Sequence, residues 1–194
     1  MWIDETYVEY AGLNESLEQF ASASPNVVVC KSMSKVYALS GVRAAYLCGP
    51  PHILDELRAI TPPWAVSLPA QVAAVAALQN ANYYVARYDE THRLREGLAA
   101  ALGAFDGWQI VPGVANFLLC HLPEDGPDAA SLVKQCRERG LFLRDASAMG
   151  SNLGTHTVRI AVKDTETNDR ILNILSAVLA DGCGLRTMSS CVAA

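Results

Sequence analysis

Asn26-Val27-Val28-Val29-Cys30-Lys31-Ser32-Met33-Ser34-Lys35-Val36-Tyr37-Ala38-Leu39-Ser40-Gly41-Val42-Arg43 is the stretch on which the reading of this chain turns. Its first five residues make a short, nearly continuous apolar run, the mark of a strand covered on both faces, as in the parallel sheets of α/β proteins. Small hydroxyl side chains, two lysines and an arginine follow, so the chain leaves the strand into a polar loop at its carboxyl end. Open α/β sheets place their ligands at such ends. Residues 44–48 read as a further strand closed by Gly49-Pro50-Pro51, and 52–60 as a helix with Pro51 near its first turn. Upstream, residues 2–10 read as another strand and its exit, rich in β-branched and aromatic side chains. Residues 14–23 between them read as a short helix, with Leu17 and Phe20 on one face.

Downstream, Thr61-Pro62-Pro63-Trp64 is a rigid, non-helical connector. Residues 69–102 read as a long helical stretch bent near 80–82, buried along the alanines and valines of 69–78 and charge-laced, hence solvated, beyond. The texture then changes. Residues 108–111 and 115–121 read as paired strands around Pro112-Gly113, 128–140 as a helix stopped by Gly140, 141–144 and 157–162 as strands, and 166–179 as an amphipathic helix. The expected organisation is one unit over 1–90, a small α+β unit over 91–180, and a disordered tail over 181–194.

Composition narrows the function. Of 194 residues, 51% are hydrophobic and 18% charged, enough to bury a core and incompatible with wholesale disorder. The net charge of −5, with no run of Lys or Arg, makes a poor binder of phosphate backbones, so nucleic acid is not expected as a partner. No stretch approaches the length of a membrane-spanning helix, and the first residues carry acid where a secretory signal carries base. A soluble, cytoplasmic protein is expected. The six cysteines (30, 48, 120, 136, 183, 191) and four histidines (52, 92, 121, 156) show no metal-ligand or triad spacing, so reduced, core-filling thiols and no metal are expected. Neither G-x-G-x-x-G nor a P-loop occurs.

Two segments can carry chemistry. Lys35, just past the apolar strand, offers an amine able to bond a carbonyl cofactor, Ser32 and Ser34 offer hydroxyls, and Arg43 offers a planar fork suited to phosphate. Asp4-Glu5-Thr6-Tyr7 closes the preceding strand with a carboxylate and a phenol. Taken singly, the first is also a common solvated loop and the second a common loop cap. Their order on successive expected strands is not common.

Asp-Glu-x-Tyr followed by Ser-x-Ser-Lys-x5-Gly-x-Arg resembles the signature of the class I/II, fold-type I pyridoxal-phosphate aminotransferases. Within them it is most similar to the histidinol-phosphate aminotransferases and the related threonine-phosphate decarboxylases. Residues 115–119, 143–145 and 157–162 resemble that group's small-domain strands. The resemblance implies pyridoxal 5'-phosphate as cofactor, held covalently by Lys35, which then acts as general acid/base. It implies that Asp4 faces the pyridine nitrogen and Tyr7 the 3' oxygen, while Ser32, Ser34 and Arg43 take the phosphate. Arg159 would bind a substrate α-carboxylate. Arg144 would assist there or at a distal phosphate, or would make a strand-end salt bridge. Asn116 would complete the set, or would satisfy backbone after its turn.

The implied reaction is amino-group transfer between an amino acid or phosphorylated amino compound and a 2-oxo acid, in a homodimer. Arg159–Lys163, with Asn168 beyond, leans towards the decarboxylases, whereas Asp4–Tyr7 leans back. The long segment that the family sets before its aspartate strand has no counterpart here. The expected architecture is therefore the C-terminal part of a fold-type I enzyme: an incomplete large-domain sheet plus a small α+β domain. Such a truncated or fragmentary chain could also be catalytically silent until it meets its complement.

Overall fold

Apart from Ser151, the computed structural model describes residues 1–189, without the side chains of Leu13 and 182–189. Two units result, Met1–Asp89 and Glu90–Ala194.

The first unit is built on three strands, β1 (Trp2–Asp4), β2 (Val28–Ser32) and β3 (Ala45–Cys48), in the order β1-β2-β3. β1 runs parallel to β2 with Asp4 opposite Cys30, and β3 runs antiparallel with Ala45 opposite Ser32. The apolar run behaves as its composition demands: Val27, Val28 and Val29 are buried, Val27 and Val29 against Ala21. The expected strand over 2–10 ends early, because the chain turns at Glu5 and winds into a 3-10 turn at Val8–Tyr10.

The helix expected over 14–23 is shorter as well. A 3-10 turn (Leu13–Glu15) precedes α1 (Glu18–Ala23), and Leu17 and Phe20 are exposed. The cause is Glu5, whose carboxylate takes the Leu17 amide (2.7 Å) and the Ser16 hydroxyl (2.8 Å) and so fixes a non-helical entry.

α2 (Pro51–Ile60) begins on its proline, as expected. The long helical stretch splits into α3 (Leu68–Gln79) and α4 (Ala81–Leu102) at Asn80, whose φ of −109° and ψ of 46° leave the helix. Burial of α3 is confined to its small residues. Ala70 and Ala77 pack on Met33 and Ala44, while Leu68, Val72, Val75 and Leu78 form an exposed stripe. The buried helix expected over 69–78 is thus corrected: its large side chains face outwards.

In the second unit, β4 (Gln109–Val111), β5 (Phe117–His121), β6 (Arg144–Asp145) and β7 (Thr157–Ala161) form an antiparallel sheet in the order β4-β5-β7-β6. Alternation along β5 and β7 sends Leu118, Cys120, Val158 and Ile160 into the core. There they meet Leu132 and Cys136 of α5 (Ala129–Glu138) and Ile171, Leu175 and Val178 of α6 (Thr165–Ser189). Asp128 caps α5 by accepting from the Ser131 amide at 2.8 Å. At the other end Gly140 (φ +73°) closes a Schellman motif, with Gly140 N–H on Arg137 O and Leu141 N–H on Cys136 O, both 2.9 Å. That cap uses up Leu141, which shortens the strand expected over 141–144. α6 is helical through Ser189, where an unstructured tail from 181 was expected; residues 190–194 lie outside the described residues. Cys30, Cys48, Cys120 and Cys136 are free thiols.

Candidate functional site

Parallel pairing of β1 and β2 brings their carboxyl ends to one edge, so Asp4 and Ser32 leave the sheet on the same side. Asp4 is exposed and accepts from the Thr6 amide (2.9 Å) and hydroxyl (2.5 Å). Tyr7 sits half-buried in the turn beyond. After Ser32, residues 33–44 form a loop pinched at its base, where Met33 N–H donates to Ala44 O (3.1 Å) and Leu39 N–H to Met33 O (3.0 Å). Buried Met33 anchors it.

Within this loop the Ser34 amide meets Ser32 Oγ at 3.4 Å, and Arg43 Nη1 reaches Ser34 Oγ at 3.5 Å and Ser40 O at 3.1 Å. Ala38 (φ 55°) and Arg43 (φ 58°) are left-handed, a conformation that costs such residues on the order of 1–3 kcal/mol and gathers at ligand sites. Lys35 is exposed on the same loop, and its ammonium has no hydrogen bond or ion pair among the described residues. Two hydroxyls, a guanidinium and an unengaged amine suit a phosphorylated carbonyl compound.

Beneath the loop lies a feature that the sequence reading missed. The Lys31 ammonium is buried, donates to Glu9 Oε1 at 2.9 Å, and lies 3.5 Å from Glu5 and 3.8 Å from Glu18. Glu18 also accepts from the Tyr46 hydroxyl at 2.7 Å. Burial pulls the Lys31 pKa down, but the hydrogen bond to Glu9 and the charges of Glu9, Glu18 and Glu5 outweigh it and set it above the ordinary lysine value. Burial and the charges of Glu9 and Glu18 push Tyr37 up to about 12. The available signal was alternation: Val29 and Lys31 share a face of β2, so the strand's pattern turns a charge inward.

The other three candidates lie in the second unit. Arg144 and Arg159 are direct partners across β6 and β7, hence neighbours on one face. The Arg159 guanidinium stacks 4.4 Å from the Phe117 ring centroid. Neither arginine has a carboxylate partner among the described residues. Two adjacent cations of this kind suit an anion. Asn116 precedes β5, and its carbonyl accepts from the Val162 amide at 2.9 Å. Asn168 is buried and its side-chain amide bonds both backbone groups of Lys163 (3.0 and 2.8 Å), a clasp at the start of α6. Among the described residues no helix is long and apolar enough to cross a membrane, and no His/Cys/Asp/Glu group is arranged for a metal.

Residues 1–175 match the family model of aminotransferases of class I and II, and the chain belongs to that family. Among its relatives is the histidinol-phosphate aminotransferase of Roseiflexus castenholzii, 34% identical over 91% of this chain and 46% of that protein. Among solved structures, the histidinol-phosphate aminotransferase from Clostridium acetobutylicum matches with a TM-score of 0.82 at 22% identity, covering 93% of this chain and 54% of that one. The Sinorhizobium meliloti enzyme, solved in complex with pyridoxal-5'-phosphate, matches at 0.79 and 23%, covering 93% and 48%. L-threonine-O-3-phosphate decarboxylase from Porphyromonas gingivalis shares the fold at 0.76 and 23%, covering 92% and 55%. The chain thus spans about half the length of the curated relatives it matches.

Proposed function

We propose that this chain works in a pyridoxal-phosphate-dependent aminotransferase of the histidinol-phosphate type. Its reaction would move an amino group between an amino acid or phosphorylated amino compound and a 2-oxo acid. The observation that carries this reading is the loop beyond β2, where Ser32, Ser34 and Arg43 gather beside an unengaged Lys35, at the strand edge shared with Asp4. The donor set fits the cofactor: hydroxyls and a guanidinium for a phosphate, an amine for an aldehyde, a carboxylate for a ring nitrogen.

When bound, pyridoxal phosphate supplies an electron sink for the charge left at the substrate Cα once a proton departs. Lys35 would hold the aldehyde carbon and move that proton as general acid/base. Asp4 would keep a proton on the ring nitrogen through its charge, and Tyr7 would donate to the 3' oxygen. Ser32, Ser34 and Arg43 would bind the phosphate, with Arg43 contributing a charge-assisted fork. In the second unit, the paired Arg159 and Arg144 would bind substrate carboxylate or phosphate, and Asn116, just before β5, would complete the set. A cytoplasmic homodimer accords with the family resemblance.

The test is an assay of the whole chain with pyridoxal phosphate. Histidinol phosphate and 2-oxoglutarate should yield glutamate, and Lys35→Ala should abolish it. Release of CO2 from O-phosphothreonine instead would assign the decarboxylase reaction. Failure of both would leave the chain silent by itself and overturn the proposed activity.

A further inference from the structure

The buried ionic cluster has no part in the chemistry just described, yet it joins both segments that carry it. Lys31 lies on β2 just before Ser32, and its side chain is 6% exposed. Glu5 directly follows Asp4, and its amide continues the β1–β2 ladder by donating to Cys30 O at 2.9 Å. Glu9 stands two residues past Tyr7 in the 3-10 turn. One ammonium therefore reaches Glu5, inside the Asp4–Tyr7 segment, and Glu9, two residues beyond it, from the strand that leads to Lys35. Glu5 in turn fixes the start of α1 through Ser16 and Leu17, and Glu18 ties in Tyr46 of β3.

The charged groups of Asp4 and Lys35 have no such anchorage. Among the described residues the Asp4 carboxylate bonds only to Thr6, two positions on, and the Lys35 ammonium bonds to nothing. Apolar packing of Tyr7 and Tyr10 with Val36 and Tyr37 brings the two segments together, but it does not bond the charged groups of Asp4 and Lys35 across them. Stability alone is a weak reason for the cluster, since buried ion pairs recover little more than their desolvation and apolar replacements commonly do as well. Three carboxylates around one ammonium, with Glu9 Oε2 left without a hydrogen-bond partner, make that reason weaker still.

We propose that Lys31 is a positioning residue, which sets the Asp4–Tyr7 segment against the Lys35 loop through Glu5 and Glu9 so that Lys35 meets a phosphorylated aldehyde in a fixed orientation. This rests on the reading of Lys35 given above. It differs from a purely structural role in being sensitive to which charged partner is present, beyond whether the unit folds.

The chain has four lysines, of which Lys134 and Lys163 are exposed in the second unit and serve as internal references. The full chain is incubated with pyridoxal phosphate, reduced with borohydride and digested with trypsin, and the label at Lys35 is read against that at Lys134 and Lys163. The parent should label Lys35 preferentially. Lys31→Met and Glu9→Gln should lose about tenfold of that preference while still melting cooperatively, and Lys31→Arg should regain it to within about twofold. Should Lys31→Met fail to fold, Glu9→Gln decides, because it leaves Lys31 facing Glu5 and Glu18. An unchanged preference in the folded variants overturns this inference and leaves the role of Lys35 intact. A parent that labels Lys35 no more than Lys134 overturns both.

Discussion

Lys31 and Lys35 lie four positions apart on one strand and its loop, in opposite surroundings: one buried among three carboxylates, the other exposed and unengaged. The first has a consequence for pH. The folded Lys31 holds its proton above the ordinary 10.5, and the folded Tyr37 above 10.0, up to about 12. Between these limits the folded chain binds protons that the unfolded chain has released. Their stabilisation is therefore complete below about pH 10 and is lost as pH rises through the folded values. The melting midpoint should fall steeply between about pH 10 and pH 12, and a flat profile there would contradict the cluster. A second residue-scale prediction concerns the cross-strand arginines. With no anion present, Arg144→Gln should stabilise the second unit by about 0.2–1 kcal/mol at low salt by relieving like-charge repulsion, and the gain should shrink when salt is added. Denaturant melts at two ionic strengths check this; a loss of stability would show that the pair is not repulsive.

Elements were legible where one local signal governed them. The Val27–Val29 run marked β2, Pro51 marked the start of α2, and Gly140 marked the stop of α5. They were illegible where a distant side chain intervened. The start of α1 depends on Glu5, 12 residues away from the amide it accepts, and no helical periodicity reveals that. In α3 the apolar residues are real, but which face is covered depends on what else is present, and only Ala70 and Ala77 are packed. The candidate site shows the same division. Ser32, Ser34, Lys35 and Arg43 are close in sequence and form a readable motif, whereas Lys31 meets Glu9 across 22 residues through a strand register that the sequence leaves unspecified. The Asp128 cap was local, and it is testable at this scale: Asp128→Ala should lower the midpoint of a urea melt, and Asp128→Asn should lower it less. Equal stability of all three chains would remove the cap from the account.

At the scale of the whole molecule, the first unit has a three-stranded sheet with β1 and β3 as its outer strands, and neither carries a further strand among the described residues. Trp2, Leu47 and the α3 stripe of Leu68, Val72, Val75 and Leu78 are exposed. Open strand edges and contiguous apolar surface promote association. The chain taken alone should self-associate with increasing concentration, and Val72→Glu with Val75→Glu should reduce that in light scattering. A concentration-independent monomer would contradict the expectation.

Everything proposed about activity depends on Lys35 being the residue that takes the cofactor. Adding pyridoxal phosphate to the whole chain should raise a visible absorbance band. Borohydride should fix it, and a tryptic peptide spanning Ser32 to Arg43, with Lys35 uncut, should carry the label. Lys35→Ala should lose both band and label. A band that survives in Lys35→Ala, or a label confined to Lys134 and Lys163, would contradict the account at its centre.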